Sequence, residues 1–213
     1  MRNEFEIKEI ISLLEACYPD PYCALEYEKD YELLFSARLS AQCTDARVNT
    51  ITPKLFEQYP TLEALAGADV SELEKIVYPC GFFRTKAQDI INASAMLLTD
   101  FGGRVPDTMD DLLRLPGVGR KTANLMLGDI HNKPAVVVDT HCIRLSNRIG
   151  LVSTKDPVKI EMALREILPP EKSSDFCHRL VLHGRAVCTA KKPGCGDCCI
   201  AGLCEYVTGT ELL

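Results

Sequence analysis

One short stretch joins a reactive amine to backbone suited to holding an anion. In LPGVGRKTAN, Leu115 to Asn124, two glycines two residues apart separate an apolar run from a helical run, so the turn can bare consecutive N–H groups toward a phosphate. Lys121 falls in the first turn of the downstream helix and shares its site with the positive end of the helix dipole. Further on, VDTH at Val138 to His141 offers a carboxylate, Asp139, and an imidazole, His141; Asp139 also stands where an N-cap would open the next helix. Cys188, Cys195, Cys198 and Cys204 follow C-x6-C-x2-C-x5-C, and four thiols in seventeen residues can close around one metal centre. Spacing alone leaves both a zinc site and an iron–sulfur cluster open, although the long first gap favours the cluster. Lys191 and Lys192 lie inside that gap.

The elements that must position these residues read as an all-α chain. Ile7, Ile10, Ile11, Leu14 and Cys17 recur at helical spacing over Phe5 to Cys17, and Pro19 and Pro21 end the run. Asp30 is expected to cap a second helix and Thr44 a third, while Asp69 with Glu72, Thr85 with Gln88, and Thr108 with Asp111 have capping-box spacing. The Thr85 helix carries Ile90, Ser94, Leu97, Leu98 and Phe101 on one stripe and exits at Gly102 and Gly103. Asp156 and Pro157 open a helix that runs to Leu168. Ala135 to Val138 reads as extended, but four residues without a partner strand form a buried link rather than a sheet. Leu112 to Leu115, the turn Pro116 to Gly119, and Arg120 onward read as helix, tight turn, helix, which holds a backbone phosphate without reading bases.

At 213 residues and 46% hydrophobic content, the chain can bury one sizeable core or two small ones. No apolar run approaches the ~20 residues of a membrane helix, and the N-terminus is acidic and amphipathic; the expected location is intracellular, in the cytoplasm or nucleoid. A net charge of −6 argues against a nucleic-acid partner. Its distribution argues otherwise. Residues 1–32 hold three basic and nine acidic side chains, whereas residues 114–192 hold fourteen basic and seven acidic, as an acidic flap and a basic binding face would. Of the eleven cysteines, Cys17, Cys23, Cys43, Cys80, Cys142 and Cys177 lack ligand spacing and are expected to act as small hydrophobes, with Cys199 a spare beside the ligand set.

With LSAQCTD at Leu39 to Asp45, these motifs resemble the endonuclease III family of helix-hairpin-helix DNA glycosylases over nearly the whole chain. The resemblance implies two helical domains with a DNA-binding cleft between them. One is a six-helix barrel, residues 23–133, with the helix-hairpin-helix at about 108–130; the other is a discontinuous iron–sulfur cluster domain from 1–22 and 134–213. It implies a bifunctional DNA N-glycosylase and abasic-site lyase that removes oxidised pyrimidines. Lys121 matches the Schiff-base nucleophile, and Asp139, expected across the cleft, matches the carboxylate that offsets charge as the base departs. A lysine of ordinary pKa ~10.4 is mostly protonated at neutral pH, so the helix dipole and partial burial are expected to lower it.

By the same resemblance the four cysteines bind a [4Fe–4S] cluster, the loop with Lys191 and Lys192 meets the DNA backbone, and Gly117, Gly119 and Arg120 grip the strand. Gln42 fills the gap left by the flipped nucleotide, His141 lines its pocket, and an apolar wedge comes from the loop around Gly81. There Cys80 and Phe82 stand where aliphatic residues are expected, and Phe82 with Phe83 reads equally as core. The expected partner is duplex DNA with damaged bases or abasic sites, bound by a monomer, with no membrane. Two other readings compete: a monofunctional mismatch glycosylase for adenine or thymine, which generally lacks the lysine, and a non-catalytic iron–sulfur DNA-binding protein, which has no use for Lys121 with Asp139.

Overall fold

The structure, a computed structural model, describes residues 2–209, and every regular element among them is helical. In chain order these are α1 (Glu4–Cys17), α2 (Asp30–Leu39), α3 (Asp45–Asn49), α4 (Thr52–Gln58), α5 (Leu62–Ala66), α6 (Val70–Val77), α7 (Phe83–Phe101), α8 (Met109–Arg114), α9 (Arg120–Leu125), α10 (Thr140–Ile149), α11 (Pro157–Ile167), α12 (Ser173–Ala186) and α13 (Glu205–Thr208). They divide into two compact units, one formed by Cys23–His131 and the other by the described residues up to Tyr22 with those from Asn132 onward. No helix among the described residues is long and apolar enough to cross a membrane.

Local chemistry sets most helix starts. The Asn3 side chain accepts the Glu6 N–H and the Glu6 carboxylate accepts the Asn3 N–H, both at 3.0 Å, closing a capping box on α1. Thr44, Asp69, Thr108 and Asp156 cap α3, α6, α8 and α11 as their spacing predicts. Two starts differ. Asp30 is the first residue of α2 rather than its cap, because the Glu32 carboxylate reaches back to the Glu28 and Lys29 N–H groups at 2.9 and 3.3 Å. Thr85 lies inside α7, which begins at Phe83 after Phe82; the Phe82 carbonyl already accepts the Lys86 N–H at 3.1 Å.

In the 23–131 unit, α7 packs against α5 and α6. Leu33, Leu39, Leu55, Leu65, Leu73, Ile90, Leu97 and Leu112 are completely buried there. In the other unit α12 packs on α1 and α10, burying Ile10, Leu14, Leu145, Phe176 and Leu180. Ala135 to Val138 is a buried extended link that ends at Asp139. Cys17 departs from the expected α1 stripe: it is exposed at the helix end, where its thiol meets Cys199.

Candidate active site and nucleic-acid interface

The hairpin joins α8 to α9 through Leu115–Gly119, with the Val118 N–H donating to the Leu115 carbonyl at 3.1 Å. Gly117 takes φ +76°, and a Cβ there would come within 2.5 Å of Arg38 Nε and 2.6 Å of Asp89 Oδ2. Those groups form an ion pair with both contacts at 2.7 Å, so the turn rests directly on a paired arginine and aspartate. Gly119 is different. Its backbone is extended, a Cβ would meet nothing within 4 Å, and it stands at the N-cap of α9 without a side chain. Arg120 is half-buried and Lys121 exposed. The expected partial burial of Lys121 is not supplied by the chain itself: Thr122 and Ala123 take the inward positions of that turn, which turns Lys121 outward.

Two exposed residues of the same unit hold left-handed backbone without being glycine, Gln42 at φ +56° and Phe82 at φ +48°. Each costs about 1–3 kcal/mol and persists only where the surroundings over-determine it. Lys86 provides that constraint. Its ammonium is fully buried and donates to the carbonyls of Leu39, Ala41 and Cys80 at 2.8, 2.8 and 2.7 Å, tying the two segments together. Burial pushes the Lys86 pKa down, as expected for an ammonium out of water. Phe82 is not a core aromatic: it is 66% exposed, whereas Cys80 is buried, so Phe82 is what the loop presents. Phe83 instead packs on Tyr78 with ring centroids 4.9 Å apart.

In the other unit, Asp139 is the N-cap of α10, accepting the Cys142 N–H at 2.7 Å. His141 Nδ1 lies 3.2 Å from Arg144, and Gly184 admits both side chains, since a Cβ there would fall within 2.5 Å of His141 Nδ1 and 2.9 Å of Arg144. Arg144 donates to the Gly184 and Cys188 carbonyls. One turn on, Arg148 donates to the carbonyls of Thr189 and Ala190 at 2.8 and 2.9 Å and to Cys188 Sγ at 3.2 Å. The loop is closed by the Gly194 N–H on the Val187 carbonyl at 2.9 Å and by Thr189 Oγ1 on the Lys192 carbonyl at 2.6 Å. Lys191 and Lys192 are therefore exposed on a loop held by the helix that Asp139 opens.

The four spaced cysteines are electrostatic neighbours: Cys204, Cys188 and Cys195 all act on Cys198, and burial raises the thiols of Cys198 and Cys204. His183 Nε2 lies 3.3 Å from Cys198 Sγ, and its Nδ1 lies 3.1 Å from the Tyr18 hydroxyl. Polar side chains thus meet two of the four sulfurs, while the Cys204 thiol donates to the Arg148 carbonyl at 3.3 Å. Among the described residues no three Cys, His, Asp or Glu side chains converge as a single ion would draw them. Cys80, Cys142 and Cys177 are buried as expected of small hydrophobes, while Cys23 and Cys43 are only half-buried, and all eleven cysteines are free thiols.

Lys86, Arg144, Arg148 and His183 escape sequence reasoning. Only Arg144 and Arg148, at i and i+4 behind Asp139, carry a local signal, that of one shared helix face.

A turn resting on a half-buried ion pair, an amine beside it and a carboxylate cap match a known class. Residues 35–170 match the HhH-GPD superfamily of base excision DNA repair proteins, which defines the chain as a base-excision-repair DNA glycosylase. It is 46% identical over 197 residues to endonuclease III of Synechocystis, covering 92% of this chain and 90% of that one. To endonuclease III of Escherichia coli K12 it is 38% identical over 204 residues, 96% and 97% of the two chains. The chain belongs to the endonuclease III family. Its fold matches a structure of endonuclease III trapped as a covalent intermediate with DNA, at TM-score 0.93 and 37% identity over 99% of this chain and 100% of that one. A thermostable thymine-DNA glycosylase shares the fold at TM-score 0.84 and 24% identity, covering 96% and 97% of the two chains.

Proposed function

We propose that this chain removes oxidised pyrimidines from duplex DNA and cuts the strand at the resulting abasic site, with Lys121 as nucleophile and Asp139 as its electrostatic partner. The observation that carries the reading is that a relative 37% identical over 99% of this chain forms a covalent intermediate with DNA, while Lys121 is an exposed amine at the hairpin. The neutral amine attacks C1′ of the damaged nucleotide, the bond from C1′ to the base breaks, and the base leaves with a proton. Ring opening gives a Schiff base, which acidifies the C2′ hydrogen; loss of that proton expels the 3′ phosphate. Bound DNA excludes water from the reacting amine and sugar. Asp139, anchored by the Cys142 N–H, offsets the positive charge that develops on the sugar as the base departs.

In this reading Gly117, Gly119, Arg120, Lys191 and Lys192 take phosphates, Gln42 and Phe82 enter the duplex, and His141 lines the pocket for the extruded nucleotide. Cys188, Cys195, Cys198 and Cys204 would hold a [4Fe–4S] cluster, which when bound cross-links both ends of the lysine loop to the C-terminal turns. The electrostatic proximity of the four thiols, and the polar groups beside Cys188 and Cys198, support one shared metal centre there. The protein acts as a monomer.

Borohydride reduction during incubation with abasic-site duplex tests the chemistry. Covalent trapping is expected for the native chain and for Lys133→Ala, and none for Lys121→Ala. Trapping that survives in Lys121→Ala would overturn the assignment.

A further inference from the structure

Seven of the eleven cysteines lie outside the spaced set, and six of these are electrostatic neighbours in three pairs: Cys17 with Cys199, Cys43 with Cys80, and Cys142 with Cys177. The Cys142 and Cys177 thiols are both buried, and Cys199 adjoins a residue of the spaced set. Cys43 and Cys80 are placed differently. Each stands beside left-handed backbone, Cys43 directly after Gln42 and Cys80 directly before Gly81 and Phe82.

Their two segments are held together independently of sulfur. Lys86 Nζ donates to the Ala41 carbonyl at 2.8 Å and to the Cys80 carbonyl at 2.7 Å, so these oxygens are no farther apart than the two bonds laid end to end. The short helix α3 packs on the turn Tyr78–Cys80, which places the Cys43 and Cys80 thiols close enough to act on each other electrostatically. Access is unequal. Cys43 is half-exposed and Cys80 only 2% exposed, so an oxidant arriving from solvent meets Cys43 first and finds Cys80 behind it.

We propose that Cys43 and Cys80 form a reversible disulfide site, taking a small-molecule disulfide as oxidant, whose closure ties the Gln42 segment covalently to the Phe82 segment. The Cys43 thiolate attacks one sulfur of RSSR; a protein–SR bond forms, the S–S bond breaks, and RS⁻ leaves and takes the proton that Cys43 released. The Cys80 thiolate then attacks the Cys43 sulfur of the mixed disulfide and expels the second RS⁻, which takes the Cys80 proton. Two protein thiols and one RSSR become one protein disulfide and two RSH, and excess RSH reverses the exchange. Burial and the Cys43 thiol push the Cys80 thiol up to about 11, while the positive Lys86 and Arg47 favour the thiolate that the second step needs. The consequence for DNA rests on the reading of Gln42 and Phe82 as the residues that enter the duplex. A bond between their neighbours makes permanent a join that Lys86 holds only by exchangeable hydrogen bonds, so the two loops can no longer adjust around a nucleotide.

The test treats the purified full-length chain with oxidised glutathione under anaerobic conditions, alkylates remaining thiols and maps the digest by mass spectrometry. Affinity for an abasic-analogue duplex is measured on the same sample before and after dithiothreitol. A linked peptide joining Cys43 to Cys80 is expected in the native chain and in Cys142→Ser, and none in Cys43→Ser or Cys80→Ala. Affinity is expected to fall tenfold or more and to return with dithiothreitol, while Cys43→Ser shows no change on oxidation. Glutathione that stays on Cys43, or modification of exposed Cys17 with no Cys43–Cys80 peptide, overturns the site. A linked peptide with unchanged affinity upholds the disulfide and overturns the assignment of Gln42 and Phe82 to DNA.

Discussion

Because the Asp139 carboxylate accepts the Cys142 N–H, it opens α10 as an N-cap whatever it does in the reaction, and one substitution separates the two duties. Asparagine caps a helix about as well as aspartate but carries no charge. Asp139→Asn is therefore expected to keep its thermal midpoint within a degree or two, as ~0.5 kcal/mol or less would allow. Its base-excision rate is expected to fall by roughly 10²-fold or more, as when one preorganised charge is lost. A matching loss of stability would show that Asp139 is only a cap. The hairpin glycines separate in the same way. Gly117→Ala forces a side chain into left-handed backbone and against the Arg38–Asp89 pair, so a loss of about 1–3 kcal/mol is expected in the urea midpoint. Gly119→Ala meets open space and is expected to cost less.

At the scale of elements, α10 couples the carboxylate to the lysine loop. Asp139 begins the helix, and Arg144 and Arg148 on its next turns hold the carbonyls of Cys188, Thr189 and Ala190. These bonds fix one end of the loop, while the proposed cluster fixes both. Removing one ligand should therefore release Lys191 and Lys192 without touching Lys121 or Asp139. Cys198→Ser is expected to lose iron and sulfide together and to weaken binding to undamaged duplex by tenfold or more. Full DNA affinity in a cluster-free Cys198→Ser protein would sink the idea that the cluster shapes this loop. The Lys86 staple is the corresponding element in the other unit: one ammonium serves three carbonyls from two segments, which is why two strained residues, Gln42 and Phe82, can be kept.

Across the whole molecule, a net charge of −6 conceals a basic segment between residues 114 and 192 that carries the hairpin and the lysine loop. If about five phosphates are neutralised, the logarithm of the binding constant should fall with the logarithm of salt at a slope of about −4 or steeper, despite the overall negative charge. Fluorescence anisotropy across a salt series checks this, and a slope near zero would remove the basic segment from the interface. The sequence by itself determined the helices, most of their caps, the Gly117 turn with Lys121 beside it, Asp139 at the head of α10, and the cysteine spacing. Each of these is written within a few neighbouring residues, where capping, helical period and ligand spacing act. Tertiary structure alone decided that Lys86 bonds Leu39 and Ala41, that Arg148 holds Thr189 and Ala190, and that Cys43 meets Cys80. It also decided that Phe82 faces solvent rather than the core. Those contacts join residues some forty positions apart, and no local pattern records which buried lysine will find which carbonyl or which thiol will find another. The residues proposed for the chemistry stand out because their signals are local; the constraint that holds Gln42 and Phe82 in place does not, because it depends on where the chain returns.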